Sequence, residues 1–186
     1  MRKLFAAALL AGLCLSSATL FAQQFSSQQR AQELAASFNK SKHRVKEKRG
    51  VTVEKFKEVR SEPVVKTDSR EYSGTYVASL GTDYSINITV SADGHVEVTG
   101  SEPGRDSILH FTLRDAKIAG GLLTGTKVYT DGSTEKFEGV FINRTERDSP
   151  TATGSTSFGL GVVYNPPKAE SDYGFSLNHL FYELKR

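Results

Sequence analysis

Residues 85–99, with the sequence SINITVSADGHVEVT, decide the fold of this chain. Isoleucine or valine occupies every second position of the first half, and the same alternation returns at Val96 and Val98. A period of two is typical of a strand that buries one face. The tripeptide at 92–94 (ADG) separates the two halves, and its glycine can adopt the positive φ that a tight turn needs. The stretch therefore predicts an antiparallel β-hairpin.

The same alternation continues towards the C-terminus, interrupted by short turn signals such as Gly120-Gly121 and Asp131-Gly132. Further predicted strands fall at residues 72–76, 109–113, 122–130, 137–141 and 158–163. Short strands at this regular spacing indicate a mainly β fold rather than a βαβ sheet. We expect an antiparallel meander that closes into a small barrel, with a sandwich as the alternative. The pattern resembles small lipocalin-like domains in general shape.

The C-terminal segment, Phe175 to Leu184, is compatible with two structures. Its leucine and phenylalanine residues have helical spacing, whereas its aromatic content also suits a strand. We favour a closing strand, because sequential strands usually pair.

The first 22 residues have the layout of a secretory signal peptide. Arg2 and Lys3 precede an apolar run at 4–20, and Ala22 offers a small residue for cleavage, with Ala18 as the alternative. A retained N-terminal anchor is the competing interpretation. The layout predicts an exported protein, periplasmic or extracellular. Cleavage would remove the single cysteine, so no disulfide is expected.

The segment after the leader predicts a basic amphipathic helix over residues 26–49. Its apolar stripe consists of Ala31, Leu34, Ala35 and Phe38, at helical spacing, with Val45 one heptad further on. The following glycine, at position 50, is a natural helix stop. We therefore divide the chain into four parts. They are a signal peptide (1–22), a basic amphipathic helical segment (23–60), a linker (61–70) and an antiparallel β domain (71–186).

Positive charge is concentrated in the predicted helical segment. The chain has 24 Lys and Arg against 21 Asp and Glu, a formal net charge of +3. Residues 40–60 contain nine basic and three acidic residues, whereas residues 61–186 contain 12 and 17. The charge run is typical of a solvated helix end that the acidic β domain partly balances; its functional interpretation is binding to an anionic envelope surface or an acidic protein. The export signal argues against nucleic acid as the partner. The proposed contact residues are Lys40, Lys42, Arg44, Lys46, Lys48 and Arg49.

The sequence offers no catalytic motif, cofactor fingerprint or clustered metal ligands. His110 alternates with apolar neighbours and is expected to face solvent, while Asp93 and Asp131 precede turn glycines. The polar residues Tyr84, His95 and Asp106 are scattered along the chain. These observations favour a non-enzymatic protein with no catalytic, cofactor-binding or metal-binding residues.

The sequence is compatible with two functions. The first is an exported β-barrel that binds a small, mostly apolar ligand, for which we expect a pocket of at least about 300 Å³. The alternative is an envelope structural or interaction protein that docks to an anionic surface or partner through its basic helix.

Overall fold

The structure, a computed structural model, describes residues 26–78, 83–103, 107–164 and 178–185. A helix, α1, covers residues 26–37, and a short 3-10 helix covers Ser69–Tyr72. The ten strands are β1 (Lys40–Lys48), β2 (Val51–Pro63), β3 (Gly74–Ala78), β4 (Ser85–Val90), β5 (Val96–Pro103), β6 (Ile108–Ala119), β7 (Leu122–Tyr129), β8 (Thr134–Arg147), β9 (Ser155–Val163) and β10 (His179–Lys185).

Strands β3 to β10 form a closed, eight-stranded antiparallel barrel. Each strand pairs with the next along the chain, and β10 returns to pair with β3. The predicted meander and its closure into a barrel are therefore confirmed, rather than the sandwich. Closure pairs the strand edges that an open sheet would leave exposed.

The barrel interior is packed with apolar and aromatic side chains from all eight strands. Tyr76, Phe141 and Tyr182 are among the largest of its fully buried side chains. The Phe141 ring stacks on Tyr72 of the 3-10 helix, with 4.2 Å between ring centroids. The Tyr76 hydroxyl donates a 2.7 Å hydrogen bond to the Tyr72 carbonyl oxygen, which fixes the 3-10 helix to the barrel.

Antiparallel order gives the barrel two distinct ends. The C-terminal ends of β3, β5, β7 and β9 share one end, which we call the network end. The opposite end, which we call the ribbon end, contains the C-terminal ends of β4, β6 and β8. Strand β2 pairs with the last residues of β8, Glu58 opposite Arg147 and Pro63 opposite Ile142. The β1–β2 hairpin therefore extends past the ribbon end.

Helix α1 packs on the outer wall of the barrel. Its buried residues Ala31, Leu34 and Ala35, together with Phe38 just past its end, form a second core with Leu122, Val140 and Ile142. The predicted apolar stripe is buried at all four positions, and three of them lie on the helix. The close approach depends on Gly161, because a Cβ there would lie 2.8 Å from the Phe38 ring.

The predicted helix over 26–49 is wrong beyond residue 37. Residues 40–48 form β1, which pairs in continuous antiparallel register with Val51–Val59. Arg49 and Gly50 have φ angles of 54° and 73°, so both central residues of the turn are left-handed. Positive φ at both positions is typical of a two-residue hairpin turn. Gly50 therefore reverses the chain between two strands instead of ending a helix.

Two further predictions concern the segments that flank the barrel. Residues 61–63 belong to β2 and pair with β8, so the predicted linker at 61–70 is wrong at its start. The closing strand near the C-terminus is confirmed at His179–Lys185, whereas residues 175–177 lie outside the described residues. The signal-peptide prediction also falls outside them.

We predict that Gly161→Ala destabilises the protein by about 1–3 kcal/mol, because the new methyl group would displace the Phe38 ring from its packed position. Urea unfolding followed by circular dichroism measures this change. Ser155→Ala, at an exposed position of the same strand, is the matched control.

A second variant tests the cause of that loss. Phe38→Leu removes part of the ring that the methyl group displaces, so the double variant should lose less stability than the two single losses added together. Strict additivity would show that Gly161 matters for a reason other than Phe38.

Candidate functional site

The β1–β2 hairpin projects from the barrel as an exposed two-stranded arm. We call residues 40–57 the basic ribbon; they contain eight basic and two acidic residues. Among the side chains described there, only Phe56 is half-buried, and the others are exposed. An isolated two-stranded hairpin is marginally stable in water. This one is anchored by the pairing of residues 58–63 with β8 and by burial of Val59.

The basic residues of the ribbon are sorted onto one face. Successive residues of a strand point to opposite faces, and directly paired residues share a face. Lysine or arginine occupies every second position of β1, and its partners include Lys55 and Lys57. No acidic residue of the ribbon shares this face. We call this surface the cationic face; its exposed basic side chains are Lys40, Lys42, Arg44, Lys46, Lys55 and Lys57.

The opposite face of the ribbon is mixed in character. It carries both acidic residues of the ribbon, Glu47 and Glu54, beside His43, Val45 and Phe56. The His43 Nε2 atom lies 2.7 Å from Glu54 Oε1, and the His43 ring meets Phe56 edge-on at 6.0 Å between centroids. On this mixed face Glu54 thus has a hydrogen-bonding partner within the ribbon, whereas no carboxylate of the ribbon lies on the cationic face.

Two cross-strand pairs on the cationic face bring like charges together. Lys42 is directly opposite Lys57, and Arg44 is directly opposite Lys55. Like charges at directly opposed positions destabilise a strand pair, at a cost of roughly 0.2–1 kcal/mol. Lys57 has an acid within reach, Glu146 of β8 at 3.4 Å, which belongs to the base of the ribbon. The arrangement is costly in the free protein and would be relieved by an external anion.

The predicted anionic-surface residues fall on this ribbon, although on a strand and not on a helix. Lys40, Lys42, Arg44 and Lys46 lie in one row on the cationic face. Lys48 is the last residue of β1, and Arg49 is the first residue of the turn. Lys55 and Lys57 complete the face and were missing from the predicted set. Only the pairing of β1 with β2 identifies them, because it places Lys55 opposite Arg44 and Lys57 opposite Lys42.

A second candidate site is a buried polar network at the network end. The Lys127 ammonium donates to Glu102 Oε2, and the two side chains are 2% and 0% exposed. The Tyr129 hydroxyl lies between the carboxylates of Glu102 and Glu135, 2.8 Å from the latter. The Tyr164 hydroxyl donates to Glu102 Oε2 at 3.1 Å. Charged groups buried inside the barrel are thus hydrogen-bonded to one another.

Aromatic rings surround the ammonium group of this network. The Lys127 Nζ atom lies 4.7 Å from the Phe111 ring centroid, 5.1 Å from that of Phe137 and 4.9 Å from that of Tyr164. Such cation–π contacts stabilise a desolvated cation. The space between the rings and Glu102 is therefore already filled by the Lys127 side chain. The network is therefore a structural element of the barrel core, and nothing in its geometry requires an external ligand.

Burial perturbs the phenols in and near this network. It raises the pKa of Tyr129, with a further contribution from the adjacent Glu102 and Glu135 carboxylates. It also raises the pKa of Tyr164 and Tyr182, whose hydroxyl oxygens are 2.9 Å apart.

Sequence reasoning missed the Lys127–Glu102 pair. The signal was present in the alternation, since Glu102 follows Val96 and Val98 in the inward phase of β5. Lys127 likewise occupies the inward phase of β7, between Leu123 and Tyr129. A charge at an inward position of each of two strands indicates a buried pair only when the strands are known to belong to one closed barrel.

A third feature is a cleft between β5 and β6. Their ladder ends at the pair Thr99–Thr112, and β6 contains a bulge at which Asp115 has a φ of 56°. Past that point the two strands diverge and line a cleft of about 510 Å³ near the ribbon end. Its apolar lining comes from Val96, Val98, Leu113 and Ala116. The first three also belong to the barrel core, so the cleft reaches the interior packing.

The remaining sequence candidates are separated in space. His110 is exposed, as predicted. Asp93 and Asp131 organise their turns by accepting hydrogen bonds from the backbone amides of His95 and Ser133. Tyr84 precedes β4 at the network end, whereas His95 lies in the turn at the ribbon end. Asp106 lies outside the described residues.

Within residues 26–78, 83–103, 107–164 and 178–185, no group of three or more His, Cys, Asp and Glu side chains is placed to hold a metal ion. No helix in the same ranges is long and apolar enough to span a membrane.

Comparison with known proteins adds no family to these observations. No protein-family model matches the chain, and no significant match exists among curated proteins or solved structures. The ribbon, the network and the cleft are therefore the features that bear on function.

We predict that the buried phenols make the protein sensitive to alkaline pH. An unfolded tyrosine ionises near pH 10, whereas the folded phenols keep their protons to higher pH. The stability that this difference contributes is complete below about pH 10 and is lost as the pH rises further. The tyrosines with raised pKa are Tyr72, Tyr76, Tyr129, Tyr164 and Tyr182.

A spectrophotometric titration checks this prediction. Phenolate absorbance from these tyrosines should appear together with the loss of far-ultraviolet circular dichroism. Gradual ionisation of all phenols in a protein that keeps its native dichroism would contradict the buried network.

Proposed function

We propose that this protein is a non-enzymatic β-barrel binding module that docks on an anionic surface through the cationic face of the basic ribbon. The observation that carries the proposal is the placement of basic residues directly across the strand pair, Lys42 opposite Lys57 and Arg44 opposite Lys55. A chain that breaks a local stability rule at one place commonly does so at a functional site. An anionic partner would offset the repulsion between these basic residues.

The way the ribbon is mounted supports the proposal. The barrel gives a firm base, because Val59 is 2% exposed and residues 58–63 are paired with β8. Lys57 at the base of the ribbon has Glu146 of β8 within 3.4 Å, whereas Lys42, Arg44, Lys46 and Lys55 are exposed beyond that point and accessible to a partner. Basic side chains near an anionic surface contribute about 1 kcal/mol each.

We propose further that the docking takes place outside the cytoplasm. This part of the proposal is supported by the signal-peptide layout of residues 1–22. An exported protein would meet lipid headgroups, charged envelope polymers and acidic proteins, whereas nucleic acid would be a less accessible partner.

We predict that Lys42→Gln/Arg44→Gln/Lys46→Gln weakens binding to phosphocellulose or to anionic phospholipid vesicles by about a hundredfold at low salt. The estimate follows from about 1 kcal/mol for each of three basic side chains. Salt-gradient elution and vesicle cosedimentation measure the loss.

The matched control removes an equal number of positive charges, three, from exposed positions of the barrel. Arg114→Gln/Lys117→Gln/Lys136→Gln has the same net charge as the ribbon variant and leaves the ribbon intact. Equal loss of binding in the two triple variants would show that net charge, and not the ribbon, determines the interaction. That result would overturn the proposed function.

A second candidate function is the binding of a small, mostly apolar ligand. The β5–β6 cleft favours it, since its volume of about 510 Å³ exceeds the lower limit for typical ligand sites. The cleft lies between two strands rather than at the centre of the barrel, where Tyr76, Phe141 and Tyr182 are packed together. A ligand would contact Val96, Val98 and the side of the core.

We predict saturable binding of the neutral apolar dye N-phenyl-naphthylamine in this cleft. Ala116→Phe should abolish the fluorescence increase, because the ring fills the space between the strands. Thr134→Phe adds the same ring at an exposed position on β8 and should leave binding unchanged. Equal dye binding by wild type and the Ala116 variant would eliminate the cleft as a ligand site.

A further inference from the structure

The basic side chains of the ribbon form two parallel rows. Alternate residues of a strand are about 6.6–6.8 Å apart, so Lys40, Lys42, Arg44 and Lys46 cover about 20 Å along β1. The second row, Lys55 and Lys57, lies directly opposite, about 5 Å away. The face is therefore a narrow strip whose charges repeat in one direction.

This shape favours an elongated partner over a planar one. Segments that lie in a bilayer interface bind through buried apolar area as well as charge. On the cationic face, Val51 and Val53 pair with Lys48 and Lys46 near the turn, and Val51 is exposed, while Val45 projects from the mixed face beside Glu54. The two central pairs, Lys42 with Lys57 and Arg44 with Lys55, contain basic residues alone. The centre of the strip thus offers charge rather than apolar residues for insertion among lipid chains.

We infer that the partner is a linear polymer bearing phosphate groups, which lies along the ribbon between the two rows of basic side chains. This inference rests on the proposed function and specifies the chemistry and direction of binding. Phosphates spaced along the polymer contact successive side chains of the β1 row, and Lys55 and Lys57 close the strip from the other side. The like-charge pairs at its centre are the positions where a phosphate gains most, because it meets two cations at once.

Binding of inorganic polyphosphate tests the inference. Intrinsic affinity per phosphate should be higher for long-chain polyphosphate than for tripolyphosphate, because only the long chain spans the whole row. The logarithm of the binding constant should fall linearly with the logarithm of salt concentration, with a slope of about −0.7 for each phosphate contact. Fluorescence anisotropy of labelled protein provides both measurements.

Single variants locate the contacts along the strip. Lys40→Gln, Lys46→Gln and Lys57→Gln should each reduce the magnitude of the salt slope by about 0.7. His43→Gln, on the mixed face of the same ribbon, is the control and should leave the slope unchanged. Circular dichroism establishes that each variant retains the wild-type fold.

The outcomes separate the inference from the proposed function. Ribbon-dependent binding to anionic vesicles, without binding to long-chain polyphosphate, would overturn the linear polymer and retain the docking surface. Equal affinity per phosphate for tripolyphosphate and the long chain would also overturn the extended mode of binding. Ribbon-independent binding to vesicles, phosphocellulose and polyphosphate alike, or binding to none of them, would overturn both.

Discussion

The fourteen residues of strand β8 form hydrogen-bonded pairs with three other strands. The rest of the structure depends on this shared pairing. One edge of β8 pairs with β7 up to Val140 and then with β2 from Ile142 onwards, while the other edge pairs with β9. Phe141 points into the barrel, and its neighbours on both sides form the seat of the helix. Barrel closure, attachment of the ribbon and docking of the helix therefore share one strand.

Basic side chains have opposite environments at the two ends of the barrel. Lys127 is enclosed by Glu102 and aromatic rings, and removal of one partner from such a buried ion pair typically costs 3–5 kcal/mol. On the ribbon, by contrast, Lys42 and Arg44 face other cations across the strand pair and are open to solvent. The same chemical group is thus enclosed and paired with a carboxylate at one end, and exposed opposite like charge at the other. Position in the fold, more than composition, distinguishes the two roles.

Most barrel strands were predictable because burial of one face imposes a period of two, as in residues 85–99. The ribbon was predicted as a helix because the apolar pattern around Phe38 is helical and only Val45 extends it. The informative alternation there is of charged residues from Lys40 to Lys46, which a search for apolar periodicity does not detect. Gly50 was ambiguous, since a left-handed glycine serves both a helix end and a hairpin turn. The Lys127–Glu102 pair required knowledge of which strands face each other.

Among the described strands, β1 pairs only with β2, so its outer edge is open along nine residues. An open edge of this length is a template for association with another chain. Here, two copies that joined edge to edge would place their lysine rows side by side, and the resulting repulsion would oppose such association. That repulsion is electrostatic and weakens when salt screens the charges or a polyanion neutralises them. The cationic face that we propose as a docking surface would thus also oppose pairing of two copies at this edge, and saturation with a polyanion would remove that barrier to self-association.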